Sequence, residues 1–319
     1  MGESAARVLP SGWLPGQGQA LAGVRVVEVA PNLPGPLAGA VLAADGAEVV
    51  RFEPPEGDAL ARVAPAYYRV IHQAKRILRL DLKEPDGQRS LQRELSRVDV
   101  LLTSLRPSTL ARLGLASEEV RARHPGLVQV AIVGYPEPDQ ERSGHDLTYQ
   151  AAAGTLEAGG EPSQPRVLVA DYGGALAAVA ACYRLLLARE RSGRGGYQEI
   201  ALSQAGAFFA QALAAGLTAP GGVLGGGIAA YHLYPCQDGW IALAALERRS
   251  WGRFCLAEGL EELEPLGHRP VAQVPHVRER LAERFRARTA AEWAERAARL
   301  DLPLEPVAPR PGGPASTFA

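Results

Sequence analysis

VRVVEVAPNLPGPLAGAVLAADGAEVVRFEPP, residues 24–55, decides the fold. VRVVEVA (24–30) is a β-branched run and reads as a strand. PNLPGP (31–36) turns the chain, and LAGAVLAADGA (37–47) has helical composition that stops at Asp45-Gly46. EVVRFEPP (48–55) is a second strand closed by two prolines. Strand, helix and strand in so short a span form a βαβ unit, which implies a parallel pair joined by a right-handed crossover.

The alternation continues outward. RILRLDLK (76–83) is extended, and EPDGQRSLQRELSRV (84–98) is helical with its acids early and arginines late, as the helix dipole prefers. DVLLTS (99–104) and LVQVAIVGY (127–135) are buried strands, with a helix capped by Ser117 between them. VLVA (167–170) reads as a further strand before an Ala/Leu-rich helix at 172–191, and YQEIAL (197–202) as a strand before a helix capped by Ser203. The expectation is an α/β fold: a doubly wound, mostly parallel, Rossmann-like sheet in a large domain at 23–219. PGGVLGGG (220–227) marks the boundary to a smaller α+β domain at 220–302, which opens on a hairpin around Gln237-Asp238-Gly239. Residues 1–22 read as a loose extension, and the Pro-rich 303–319 as an irregular tail.

Composition narrows the function classes. With 34 basic and 35 acidic residues in 319, the net charge is -1, so no global basic field draws in nucleic acid. Only Lys75 and Lys83 are lysines among those cations. Cys182, Cys236 and Cys255 are odd in number and widely spaced, which speaks for a reducing, cytoplasmic setting and against a disulfide framework or zinc cluster. The N-terminus lacks a secretory pattern and no apolar run reaches the length of a membrane span, so neither a membrane nor a nucleic acid is expected as partner. The first strand is not followed by GxGxxG, and the histidines (72, 124, 145, 232, 268, 276) have no metal-ligand spacing. No metal is therefore expected.

Three acidic or imidazole side chains stand where α/β folds place ligands. His145, in ERSGHDLTYQAAAG (141–154), is a candidate general base; alternatively it enters a helix for which Asp146 is the N-cap. Asp171 lies between VLVA and YGG, where two glycines would let a ligand approach, or it is the plain N-cap of the helix that follows. Glu247 ends WIALAAL and opens a helix, where its bland role is a first-turn acid. Lys83, Arg106 and Arg112, at element ends, suit phosphate groups if they cluster and are a solvated surface if they do not.

Taken together, LAGVRVVEVAPNLPGPLAGAVLAADGAEVVRFEPPEGD, KRILRLDLKEPDGQ, LRPSTLARLGL, GHDLTYQAAAG, VADYGG, RERSGRGGYQEIALSQA and YPCQDGWIALAALE, in that order, resemble the family III CoA-transferases, the group that includes α-methylacyl-CoA racemase. The resemblance implies that family's fold, often as an interlocked homodimer, with a coenzyme A thioester as substrate and neither prosthetic group nor metal. The family's aspartate falls on Asp171, the racemase-type histidine on His145 within Gly144-His145-Asp146, and its supporting glutamate on Glu247. Leu80, Lys83, Ser104, Leu105, Arg106 and Arg112 fall on positions that line the CoA site. Inverting an α-carbon needs one base to remove a proton and an acid to return it, with donors for the enolate; backbone N–H groups near Asp171, Tyr172 and Gly173 are expected to supply these. Transferase members use the aspartate alone, as a nucleophile, and typically lack the histidine.

Three readings follow: an α-methylacyl-CoA racemase-like isomerase, a CoA-transferase working through an acyl anhydride on Asp171, and a non-catalytic CoA-binding paralogue. The sequence departs from the family at His72-Gln73-Ala74-Lys75-Arg76, where a more basic Gly-containing turn is usual. It holds no methionine beyond Met1 to line an acyl pocket, and only the tail at 303–319 stands where members return to the large domain.

Overall fold

The computed structural model describes residues 19–156 and 160–308, so the expected extension lies outside the described residues up to 18, as does the tail from 309. The chain divides into two compact units, the first comprising 19–156 and 163–210 and the second chiefly 211–308.

The first unit runs β1 (Arg25–Val29), α1 (Pro34–Ala44), β2 (Glu48–Glu53), α2 (Ala59–Val63), α3 (Pro65–His72), β3 (Lys75–Arg79), α4 (Pro85–Leu95), β4 (Val100–Thr103), α5 (Pro107–Arg112), α6 (Ser117–Arg123), β5 (Val128–Val133), α7 (Asp146–Ala152), α8 (Val169–Ser192), β6 (Tyr197–Ala201) and α9 (Leu202–Phe209). Its six strands are all parallel, in the order β3-β2-β1-β4-β5-β6. This is the doubly wound sheet expected from the βαβ pattern. The period of two places alternate residues under different layers. Val26, Val49, Val100, Leu102, Val128 and Val130 pack with α1 and α8. Val27, Val29, Val50, Phe52 and Leu101 pack with α4, α5 and α6. The order of strands reverses between β1 and β4, which opens a crevice at their carboxyl ends.

Local chemistry explains the element ends. Prolines start α1, α3, α4 and α5, where a missing N–H costs nothing. Asp45 closes α1 and Gly46 follows at φ 100°, a conformation that favours glycine. Other expectations fail. Ser117 is the first residue of α6 behind Ala116, and Ser203 lies inside α9, whose cap is Ala201. VLVA forms no strand: Val169 and Ala170 already belong to α8, whose first N–H groups Asp146 accepts, and 166–168 form a bend and loop. Helices α2 and α3 fill the stretch between the prolines that close β2 and the start of β3. By composition and length α8 could cross a membrane, but half of that apolar window is buried inside the unit.

The second unit contains α10 (Gln211–Ala214), β7 (Tyr231–Cys236), β8 (Gly239–Ala244), α11 (Arg248–Glu258), α12 (Pro275–Phe285), α13 (Ala290–Leu300) and β9 (Leu304–Pro306). β7 and β8 are the expected hairpin, and β9 joins β8 antiparallel. The start of the tail is thus a strand of this unit's own sheet, not an irregular return to the large domain; Leu304 is buried in the core of Trp251, Phe254, Phe285 and Trp293 that accounts for the pairing.

Candidate active site

Two adjoining cavities occupy the crevice of the first unit. The inner one, about 250 Å³, lies beyond β1, β4 and β5 and is lined by Pro31, Asn32, Ser104, Leu105, Arg106, Gly134, Gln140, Arg142, His145, Tyr149, Asp171 and others. The outer one, about 410 Å³, lies beyond β1, β2 and β3 and is lined by Arg51, Glu53, Asp58, Leu80, Lys83, Leu105, Thr109 and neighbours. Pro31, Asn32 and Leu105 line both, so the two form one continuous trough. Asn32 takes φ 67°, the left-handed region that asparagine tolerates better than most side chains.

His145 and Asp171 therefore share a cavity, although 25 residues and the α7 segment separate them in sequence. The capping roles considered for the acids are not the ones observed. His145, extended and exposed, is itself the N-cap residue of α7, its N–H donating to Thr148 Oγ1 at 3.0 Å. Asp146 is the first residue of α7 and is only 4% exposed. Its Oδ1 accepts from the N–H groups of Ala170 at 2.8 Å and Asp171 at 3.1 Å, so it caps α8 from a different helix. Asp171 is not a cap but a first-turn residue of α8, behind Leu168. Burial pushes the Asp171 carboxyl up to about 7, and the Asp146 carboxylate beside it adds to the rise.

The glycines of VADYGG meet side chains of α9. A Cβ on Gly173 would lie 2.4 Å from the Phe209 ring, and one on Gly174 2.2 Å from Leu202 Cδ2, so both serve the close packing of α8 on α9. Gly144 and Gly134 make room for Tyr149 instead: a Cβ on either would come within 2.7 Å of its ring or hydroxyl. The N–H groups expected to meet an enolate are also engaged, that of Asp171 by Asp146 and that of Tyr172 by the Leu168 carbonyl at 3.0 Å. The Tyr149 hydroxyl lines the cavity with no hydrogen-bond partner among the described residues, and sequence reasoning did not single it out. The Tyr172 hydroxyl pairs with that of Tyr67 at 2.6 Å.

The loop that carries His145 is tied down. Glu141 accepts from the Ser108 N–H at 2.7 Å and hydroxyl at 2.9 Å, and Arg106 Nη2 donates to Ser143 Oγ at 2.6 Å. Arg106 thus lines the inner cavity while fastening its rim. Ser104 donates to the Pro31 carbonyl at 2.9 Å. Lys83 is exposed on the wall of the outer cavity beside Leu80. Arg112 lines neither cavity and donates to Thr109 at 3.0 Å. Glu247 belongs to the second unit, where it is the exposed N-cap residue of α11 and makes no side-chain cap.

Lys75 does not face the trough. Its side chain is fully buried, with Nζ 2.8 Å from Glu28 Oε2 and 2.6 Å from the Pro36 carbonyl. Arg51, also buried, pairs with Glu28, with Glu53 at 3.0 Å and with Asp58. Gly39 allows this network, since a Cβ there would fall 2.0 Å from Glu28 Oε2. Glu53, Asp58 and His72 lie close enough to suggest a metal site. Their carboxylates, however, are already held by Arg51, Tyr68, Arg79 and the Leu60 N–H. Burial and the nearby Lys75 and Arg51 charges push His72 down to about 2. The cluster is a neutralised ion network.

The chain as a whole is similar to known proteins. A family model described as CoA-transferase family III matches residues 21–311. An alpha-methylacyl-CoA racemase from Mus musculus is 32% identical over 292 residues, spanning 86% of this chain and 74% of that protein. A succinyl-CoA–D-citramalate CoA-transferase from Chloroflexus aurantiacus is 30% identical over 261 residues, spanning 75% of this chain and 65% of that protein. Among solved structures, a CAIB/BAIF family protein from Brucella suis superposes with a TM-score of 0.79 at 26% identity, covering 92% of this chain and 85% of that one.

Proposed function

The chain belongs to CoA-transferase family III, and from that premise we propose that it is an acyl-CoA racemase, inverting the α-carbon of a 2-methylacyl-CoA thioester. The observation that carries the reading is that His145 and Asp171 line one cavity and that the Asp171 carboxyl titrates at about 7. A two-base inversion needs each base to serve as acid in one direction and as base in the other. Imidazole has that property at neutral pH unaided. Asp171 acquires it from its surroundings.

The trough suits the rest of the substrate. The CoA nucleotide lies in the outer cavity, with Lys83 at its phosphates and Arg112 near its rim, and the pantetheine crosses Pro31, Asn32 and Leu105. The thioester then reaches the inner cavity, where the Tyr149 hydroxyl is the donor left for the enolate oxygen. No metal or prosthetic group enters this chemistry. The same reading takes the chain to be a cytoplasmic homodimer.

Incubation with a single enantiomer of a 2-methylacyl-CoA in D₂O tests the proposal. Deuterium is expected at the α-carbon together with inversion, and both vanish in His145→Ala and in Asp171→Asn. Absence of exchange across a panel of acyl groups would sink it. Relatives named as CoA-transferases stand at similar identity, so one further outcome has meaning: a hydroxamate formed on the Asp171 side chain when hydroxylamine is added with the acyl-CoA would assign the chain to acyl transfer between carboxylic acids.

A further inference from the structure

Asp146 is a buried acid that forms no salt bridge among the described residues. Its oxygens accept from two backbone N–H groups of α8 and from Gln150 Nε2 at 2.5 Å, and that amide is itself anchored on the Val167 carbonyl at 2.8 Å. A neutral asparagine could accept the same two N–H bonds, with its amide nitrogen turned toward the Gln150 Nε2 donor, so capping of α8 alone does not explain a charged group here. What the charge meets is Asp171, whose own N–H it holds at 3.1 Å. We propose that Asp146 is a positioning residue for Asp171: its carboxylate clasps the first turn of α8 and, by its charge, keeps a proton on the neighbouring carboxyl.

The proposal rests on reading Asp171 as the reacting carboxyl. It assigns Asp146 two separable effects. The first is geometric. Without the clasp, the N-terminal N–H groups of α8 lose their acceptors and the turn that carries Asp171 loosens. The second is electrostatic. A like charge at this range favours the protonated form of its neighbour, and the Asp171 carboxyl stands at about 7, with burial as the larger cause and Asp146 as the other. The other titratable groups around Asp171 are Tyr172 beside it on α8, His145 and Tyr149 from the loop and α7, Tyr67 from α3, and Arg106 and Arg142 on the cavity wall. None of these is an anion near neutrality, and the arginines would pull the other way.

Two variants separate the effects. Asp146→Asn keeps an acceptor and removes the charge; Asp146→Ala removes both. The carboxyl carbon of Asp171, identified by its absence in Asp171→Asn, is followed by ¹³C NMR against pH in the full chain without substrate. In Asp146→Asn its midpoint is expected to fall from about 7 toward the ordinary carboxylate range, while hydrogen exchange of the Ala170 and Asp171 amides stays near that of the parent. In Asp146→Ala those amides exchange faster by about tenfold or more. In D₂O, the limb of the α-exchange profile that Asp171 sets moves to lower pH in Asp146→Asn. An unmoved Asp171 midpoint in Asp146→Asn, or unchanged α8 amides in Asp146→Ala, overturns the proposal. If the parent shows no α-exchange at all, the racemase reading fails, and the NMR and amide measurements still decide the role of Asp146.

Discussion

Replacing Asp171 by Asn is expected to make the first unit more stable above neutral pH while removing its activity. The sign runs opposite to that of most carboxyls. An acid that titrates at about 7 when folded and at about 4 when unfolded binds more protons in the folded state between those values. Stability therefore falls as pH rises from about 4 to about 7, because the unfolded chain releases its proton first. Three pH units correspond to about 4 kcal/mol at full effect, and partial access of solvent to the cavity reduces this to about 2–4 kcal/mol. Asparagine has the shape of the protonated acid and carries no such penalty. Urea unfolding at pH 5 and pH 8 measures the difference. Trp240, Trp251 and Trp293 all lie in the second unit, so the transition is best followed by far-ultraviolet circular dichroism and by exchange of the α8 amides. The expected result is a gain for Asp171→Asn at pH 8 that shrinks markedly at pH 5. An equal gain at both values, or a loss at pH 8, would refute the idea that a strained ionisation is stored at this carboxyl.

Lys75→Met leaves Glu28 Oε2 and the Pro36 carbonyl without their donor in a fully buried site. It should cost about 3–5 kcal/mol in urea unfolding, partly recovered by Glu28→Gln in the double variant. Gly173→Ala drives a methyl group into the Phe209 ring and should lower stability by about 1–3 kcal/mol, with the loss relieved by Phe209→Leu. Lys83→Ala, on the outer cavity wall, should raise KM for an acyl-CoA by about tenfold with kcat little changed, and reduce the salt dependence of binding measured by calorimetry.

The sheet was legible because parallel strands buried on both faces are written as short runs rich in Val, Ile and Leu, VRVV, EVV, VLL and VQVAIV, separated by helical spacings. The misreadings have definite causes. VLVA has strand composition, yet the capping carboxylate supplied by Asp146 draws its second half into α8. Such a cap is invisible in sequence, where Asp146 and Ala170 stand 24 positions apart. The same holds for Tyr149, placed in the cavity by two glycines that lie before it in the chain. One signal was present and unread. Glu28 and Arg51 interrupt hydrophobic strands at positions that must be interior, and a charge there implies a partner of opposite sign.

That partner also settles what the scarcity of lysine means. Both lysines fall in one segment that the family resemblance associates with CoA, yet they serve opposite ends of it. Lys83 stays in solvent at the mouth of the outer cavity, where a flexible point charge suits a phosphate. Lys75, eight residues earlier, is sealed behind the wall of that cavity, and with Arg51 it neutralises Glu28 and Glu53 at the ends of β1 and β2. Arg51, Glu53 and Asp58 reappear as lining of the cavity. The buried network is therefore the back wall of the outer cavity. The hydrogen-bonded charges that fix these strand ends also fix the surface against which a nucleotide would rest, so loosening Lys75 should weaken binding without touching any group that contacts ligand. Lys75→Met ought to raise the Kd for coenzyme A at a temperature where the variant is still folded, and Lys83→Ala ought to do so with no change in stability. If Lys75→Met lowers stability yet leaves the Kd unchanged, the network holds the fold alone and the trough is shaped by something else.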